Sequence, residues 1–321
     1  MSFIIIGTGS CLPELTVTNE DLAKLVDTSD EWITTRTGIK ERRILSEESL
    51  LEIAAKAAKA ALENAKVDAG ELDLIICTTM QGDYVTPSLA CLLQTEIKAN
   101  CAAFDINAAC SGFMYALDMA QAYFAAKKVK KILIVSAEQL SKFTDWEDRS
   151  TCVLFGDGAG AVVLAEGDGL ISIRLKAKGH VDFLNIPSFV PQNPFSGKKE
   201  NIPKSYVHMN GREIYKFAVS TVTEDTMKAV ADAGISVDDV DYYLLHQANG
   251  RIIDAARSRL GQPECKFPVN LANTGNTSSA SIPILLDELN SKNRLKKGDI
   301  LLMSAFGGGL TAGVCIIKWG K

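Results

Sequence analysis

Hydrophobic and polar positions follow two regimes along this chain. Leu50, Ile53, Ala57, Ala61 and Ala65 recur at helical spacing and predict a long, Ala-rich amphipathic helix. Short runs that are apolar throughout, such as residues 74–78 and 102–106, predict strands covered on both faces. In the first half the expected order is helix, strand 74–78, strand 102–106, a small-residue turn (Ala109-Cys-Ser-Gly112), a helix to about Ala126, strand 132–137, and a Gly-rich segment feeding a strand over 156–164. The second half predicts strands at 243–246 and 267–270, a turn at Gly275-Asn-Thr-Ser-Ser, a helix, strand 300–305, and a last strand over 307–317. Strands alternating with helices indicate α/β layers. Residues 183–212, rich in Pro, Asn, Lys and Gly, read as an inserted surface loop.

The two halves share a register. Asp73, before Leu-Ile-Ile-Cys77, and Asp241, before Tyr-Tyr-Leu-Leu245, stand 168 positions apart. The strands Ile132-Leu-Ile-Val-Ser-Ala137 and Ile300-Leu-Leu-Met-Ser-Ala305 match at the same offset of 168. Two generic helix–strand units would not share an offset, so a duplication of about half the chain is expected.

Composition narrows the function classes. With 321 residues, 47% of them apolar and 23% charged, the chain suits a folded protein with a sizeable core. A net charge of −5 gives no basic footprint for nucleic acid, and no run approaches the roughly 18 apolar residues of a membrane span. The N-terminus has neither a basic segment nor a signal-length apolar run. There are eight cysteines but no CxxC pair, and three histidines, His180, His208 and His246. That argues against a disulfide framework or zinc site, and for free thiols serving mainly as small core residues in a reducing cytoplasmic setting.

Gly7-Thr-Gly9 and Gly156-Asp-Gly-Ala-Gly160 lack the helix that a phosphate-binding glycine loop needs, and read as turns and close backbone packing. Cys110 differs from the other cysteines. It follows an apolar strand and opens a helix among small residues, where the helix dipole and backbone N–H groups favour thiolate, with pKa values of roughly 3.5–7.5. A core Cys beginning a helix fits the same motif equally well. His246 closes a strand, where α/β proteins place ligands, and also suits a buried core histidine. Asn276 sits at a helix start, roughly in register with the Cys110 segment, and also suits an N-cap. Duplication brings corresponding ends of both halves to one centre, which favours the three acting together. A papain-like hydrolase also orders Cys, His and Asn this way, but its nucleophile lies near the mature N-terminus, whereas more than a hundred residues precede Cys110.

Four motifs in order, Asn107-Ala-Ala-Cys110-Ser-Gly, His246-Gln-Ala-Asn249, Gly275-Asn276-Thr-Ser and Phe306-Gly-Gly-Gly309, resemble the β-ketoacyl-acyl-carrier-protein synthase III family. Thr28-Ser-Asp-Glu-Trp32-Ile-Thr-Thr-Arg36 and Phe155-Gly-Asp-Gly-Ala-Gly extend the likeness over essentially the whole chain. The resemblance implies a thiolase-like, duplicated five-layered αβαβα fold. Its N-terminal half, residues 1–170, would carry the nucleophilic Cys110, and its C-terminal half, residues 171–321, His246 and Asn276. It implies decarboxylative condensation of an acyl-CoA primer with malonyl-acyl-carrier protein, in a cytoplasmic homodimer with no cofactor, since acyl-CoA is a substrate. Cys110 would hold the acyl group, His246 and Asn276 would stabilise the enolate oxygen as donors, the N–H groups of Cys110 and Gly308 would form an oxyanion hole, and Phe306 would wall the site. Adenine of CoA would lie between Trp32 and Arg149, helped by Thr28 and Arg36. Lys216, Arg251, Arg257 and Arg259 are candidates for docking the acidic carrier protein, with an ordinary solvated face as the other reading. Thr86, where relatives often carry a bulky aromatic before Pro-Ser, would deepen a primer pocket across the dimer interface. A related thiolase-like condensing enzyme of secondary metabolism and a catalytically silent assembly subunit are the alternatives; the intact Cys110, His246 and Asn276 argue against the second.

Overall fold

Each half begins its sheet in the same way, and the two aspartates show why. The Asp73 carboxylate accepts the N–H groups of Lys130 and Lys131, and the Asp241 carboxylate accepts that of Ile300, so each clamps the start of its strand to the neighbouring one. The structure is a computed structural model and describes residues 2–188, Phe195 and 204–321. Much of the expected loop at 183–212 lies outside those residues.

The first sheet holds β1 (Ser2–Cys11), β2 (Leu74–Thr78), β3 (Ala102–Ile106), β4 (Lys131–Glu138) and β5 (Gly158–Gly167) in the order β1-β5-β4-β2-β3. The second holds β6 (Leu170–His180), β7 (Tyr242–Leu245), β8 (Ile300–Gly307) and β9 (Gly309–Lys318) in the order β7-β8-β9-β6. Outside the first sheet lie helices α1 (Leu50–Ala65) and α2 (Leu89–Glu96). Helix α3 (Gly112–Ala125) runs between the sheets, α4 (Gly211–Asp232) and α5 (Gly250–Leu260) cover the outside of the second, and α6 (Ser281–Ser291) joins α3 in the middle.

Strand alternation sorts the apolar residues into these layers. On β4, Ile132 and Ile134 meet the central helices while Leu133 and Val135 meet the outer layer. On β8, Leu301 and Met303 face inward while Leu302 and Phe306 face α4 and α5. The result is a five-layered αβαβα arrangement, the expected fold.

The shared register needs one correction. Leu74 pairs with Ile132 in the first sheet and Tyr242 with Leu301 in the second, so the offset grows from 168 to 169 between these strands. The short 3-10 turns Ala109–Ser111 and Ser278–Ala280 share that later offset. No strand forms at 267–270. The buried Gln247 side chain instead donates to Leu245 O (2.7 Å) and accepts from Asn270 N (3.2 Å), bridging groups a further strand would have paired. A second difference is the connection 139–157 between β4 and β5, where β8 and β9 join directly through glycines.

The glycine pairs are close-packing points. A Cβ on Gly9 would lie 2.3 Å from Ala57 O in α1, and one on Gly160 2.7 Å from Ile284 N in α6. The cysteines divide less tidily than expected. All eight are free, but only Cys77, Cys152 and Cys315 are buried, and Cys91 and Cys265 are exposed. No described helix is long and apolar enough to cross a membrane. Gly160→Ala is expected to destabilise the protein by about 1–3 kcal/mol, because backbone rather than a flexible side chain blocks the added methyl. Gly179→Ala, with nothing within 4 Å, is the control; equal melting temperatures for the two variants would refute the close-packing account.

Candidate active site

Corresponding turns of the two halves meet at the middle layer. Asn107 Oδ1 accepts the N–H of Ala109 (3.1 Å), and Asn276 Oδ1 accepts that of Ser278 (2.9 Å), at equivalent positions. Ala109 and Ser278 both adopt positive φ, 47° and 52°, which swings each chain sharply from its turn into α3 or α6. Cys110 follows in the first turn. It contacts the Ser278 hydroxyl across the halves at 3.4 Å.

The thiol is not pre-ionised. Burial pushes Cys110 up to about 11, the nearby Glu138 carboxylate adds to this, and the Ser278 hydroxyl offsets only part of it. The expected low-pKa thiolate is therefore corrected: desolvation outweighs the helix start.

His246 leaves β7 and is buried. Burial lowers it to about 3, so the ring is neutral at physiological pH. Its Nδ1 lies 2.7 Å from Ser281 Oγ, and the same hydroxyl accepts the N–H of Gln247 at 3.3 Å. The Ser281 hydroxyl has one hydrogen and two lone pairs, so it can accept from Gln247 and give its hydrogen to Nδ1, the arrangement that puts the proton of His246 on Nε2. Phe306 meets the imidazole edge-on at 5.3 Å between ring centroids. The Asn276 backbone is clamped by the 139–157 connection, its N–H donating to Leu154 O (2.9 Å) and its carbonyl accepting from Gly156 N (3.1 Å). With Oδ1 engaged by Ser278, Nδ2 is left as a donor.

These side chains line one cavity of about 510 Å³, within the range of small-molecule sites. Cys110, His246, Asn276, Phe306, Lys216 and Arg251 are all on its wall, together with Arg212 and Gly307, which the sequence analysis did not select. Gly307 is the glycine against the nucleophile: a Cβ there would stand 2.7 Å from Cys110 N. Gly308 is its neighbour, beside Leu184, with its carbonyl accepting from Thr311 Oγ1.

Comparison with known proteins decides the family. Residues 104–179 match the model for 3-oxoacyl-[acyl-carrier-protein] synthase III, and residues 230–319 that for its C-terminal part. The chain is 50% identical over 321 residues to the β-ketoacyl-[acyl-carrier-protein] synthase III of Clostridium acetobutylicum, covering 99% of this chain and 98% of that protein. It belongs to the β-ketoacyl-[acyl-carrier-protein] synthase III family. The crystal structure of the Aquifex aeolicus 3-oxoacyl-[acyl-carrier-protein] synthase III superposes with a TM-score of 0.91 at 46% identity, over 99% of this chain and 100% of that one. The priming β-ketosynthase of a polyketide biosynthetic pathway superposes at 0.92 with 34% identity, over 100% of this chain and 97% of that one. The chain is thus a condensing acyltransferase, as the motifs imply.

Other expected synthase III residues lie off the cavity wall. Both guanidinium groups sit over the Trp32 ring, Arg36 at 4.6 Å and Arg149 at 4.9 Å from its centroid. That leaves no room for a base between Trp32 and Arg149, and a purine would have to displace the Arg149 side chain, which also donates to Asp27 O at 2.7 Å. The Thr28 hydroxyl is buried beside them without a partner. Arg257 approaches Asp254 at 3.8 Å, and Arg259 lines a separate groove with Phe183 and Tyr215. Thr86 is exposed next to Tyr84 and Val85.

Ring nitrogen NMR of labelled protein is expected to show His246 as the Nε2–H tautomer with no titration from pH 5 to 8. Ser281→Ala should admit the other tautomer. A ring that titrates near 6.5 in the folded protein would contradict the assignment.

Proposed function

We propose that the chain joins an acyl-CoA primer to malonyl-acyl-carrier protein, giving 3-oxoacyl-acyl-carrier protein, CO₂ and CoA, the first condensation of fatty-acid synthesis. The observation that carries this is the convergence of a cysteine thiol with two neutral donors, His246 Nε2–H and Asn276 Nδ2–H, on one cavity.

The chemistry divides between the two halves. Cys110 Sγ attacks the primer thioester, the N–H groups of Cys110 and Gly308 hold the oxyanion, and the CoA sulfur leaves. Exchange of one thioester for another is close to energetically neutral. Malonyl-carrier protein then replaces CoA, and His246 and Asn276 donate to its thioester oxygen as CO₂ departs. A neutral His246 is suited to this, because it stabilises the enolate oxygen without protonating the carbanion. The carbanion attacks the Cys110 thioester, and the released sulfur takes up one proton.

Partner binding follows from the cavity rim. Arg212, Lys216 and Arg251 line the cavity and supply positive charge for an acidic carrier protein, with Arg257 and Arg259 further along α5 as the remaining candidates. Trp32, Arg36, Arg149 and Thr28 form the CoA nucleotide site once Arg149 swings aside. No cofactor is required, and we assign the protein to the cytoplasm. A homodimer is supported by β3, an edge strand that pairs with no further strand, and the exposed Tyr84, Val85 and Thr86, which a second copy would cover. Thr86 would then line the primer pocket of its partner.

Two measurements test the assignment. Incubation with a panel of short straight and branched acyl-CoAs should add the acyl mass to the Cys110 peptide; absence of any adduct would sink the proposal. Replacing His246 or Asn276 by Ala should lower malonyl decarboxylation by at least about a hundredfold while leaving Cys110 acylation largely intact. Equal loss of both half-reactions would refute the division of labour. Normal Cys110 acylation without use of malonyl-carrier protein would instead favour a secondary-metabolite condensing enzyme, a reading supported by the fit to the polyketide priming β-ketosynthase.

A further inference from the structure

One buried acid has no part in the reaction described so far. Glu138 ends β4, is 1% exposed, and points at the meeting of the two turns. Its Oε1 accepts the hydroxyls of Ser279 (2.7 Å) and Ser278 (3.1 Å), and its Oε2 accepts the N–H of Met80 (3.0 Å). Ser278 Oγ is also the atom 3.4 Å from Cys110 Sγ. Ser279 in turn accepts from Thr78 Oγ1 (2.9 Å), which also reaches Ser136, so the surroundings of the carboxylate are neutral hydroxyls tied to a rigid strand end.

We propose that Glu138 is the proton acceptor behind Cys110, reached through the hydroxyl of Ser278. The inference rests on Cys110 being the nucleophile. Ser278 Oγ is within hydrogen-bond reach of both Cys110 Sγ and Glu138 Oε1 and has one hydrogen to give; when that hydrogen goes to Glu138, the hydroxyl can accept the thiol S–H, which completes a two-step relay. As sulfur bonds to the primer carbonyl carbon, its proton moves to Ser278 Oγ while the serine proton moves to Glu138, leaving a neutral carboxylic acid. When the carbonyl re-forms, the departing CoA sulfur takes a proton from Ser278 Oγ as Glu138 returns its own to the serine, so acylation is proton-neutral. After condensation Cys110 leaves as thiolate and regains a proton through Ser278, and this proton, drawn from solvent, is the one the overall reaction consumes.

A partner of this kind is what the thiol needs. A group near 11 gives little thiolate at neutral pH, so the proton must leave during attack rather than before it. Burial raises Glu138 to about 7, with the serine hydroxyls and the Met80 N–H offsetting part of the shift, which suits an acid–base group at neutral pH. The ionisable groups that face it are Cys110 and Lys142, whose ammonium is held by the Gln81 carbonyl at 2.6 Å. In Glu138→Gln the shape is kept and the proton acceptor is lost. In Ser278→Ala the carboxylate keeps its bonds to Ser279 and Met80 and only the relay is cut.

The rate of Cys110 alkylation by iodoacetamide, read by peptide mass against pH, tests the relay without any acyl substrate. It therefore separates failure of the relay from failure of the proposed condensation. Wild type is expected to gain reactivity through an inflection near neutrality. Glu138→Gln and Ser278→Ala should each react at least tenfold more slowly at pH 7 and lose that inflection, and the double variant should be no slower than either. A wild-type profile that climbs to pH 10 without a neutral inflection overturns the proposal. So does either folded variant, checked by its thermal melt, that keeps the wild-type rate and profile.

Discussion

The whole structure depends on two helices packed between its sheets, each buried over most of its length. α3 and α6 lie between the sheets, and their residues share one apolar cluster with the inward faces of both. Burial on that scale makes small residues obligatory where backbone meets backbone, as at Gly160 against α6 and at Gly313, whose Cβ would stand 2.6 Å from Met114 in α3. Every helix start is polar, so two buried starts also require an internal supply of hydrogen-bonding groups. Thr78, Ser136, Glu138, Ser278 and Ser279 form a buried hydrogen-bonded cluster beside these starts. Chemistry is concentrated where the packing problem is hardest.

The parts of this arrangement legible in the sequence are those set by local rules. Asp73 and Asp241 could be matched because each does the same capping task, and the strands were legible because burial on both faces leaves them apolar throughout. Cys110, His246 and Asn276 stood out by ending strands or starting helices. What local rules do not carry was missed. The one-residue growth in offset is visible only through strand pairing. Gln247 looked like a neighbour of His246, yet its side chain substitutes for part of a strand expected at 267–270. The thiolate expectation failed because a helix start is a local feature, whereas desolvation depends on everything packed around the sulfur. Glu138 could have been noticed as an acid closing an apolar strand, but nothing nearby in sequence says what it faces.

Two buried groups oppose one another with pH. The folded state lowers His246 from 6.5 to about 3, so its contribution to stability is full above 6.5 and declines as pH falls below that value. It raises Glu138 from 4.5 to about 7, so that contribution is full below 4.5 and declines as pH rises through 7. Across the mildly acidic range the unfolded chain would protonate the histidine and release the proton of the glutamic acid, and the two effects work against each other. A neutral donor and a proton-holding acid can therefore share one interior with less acid sensitivity than either would bring alone.

At the later offset, Glu138 in the first half corresponds to Gly307 in the second. Glu138 bears on Ser278 and Ser279, and Gly307 bears on Cys110. The duplicated architecture thus holds two versions of one nucleophile turn, each with a strand end above it. Over Cys110 the strand end carries no side chain, and the nucleophile's own backbone packs into the space, beside the cavity. Over Ser279 it carries a carboxylate, and the equivalent space is closed by hydrogen bonds. One duplicated scaffold has given a bare strand end that lets the nucleophile pack close and an acidic one that reaches across to it.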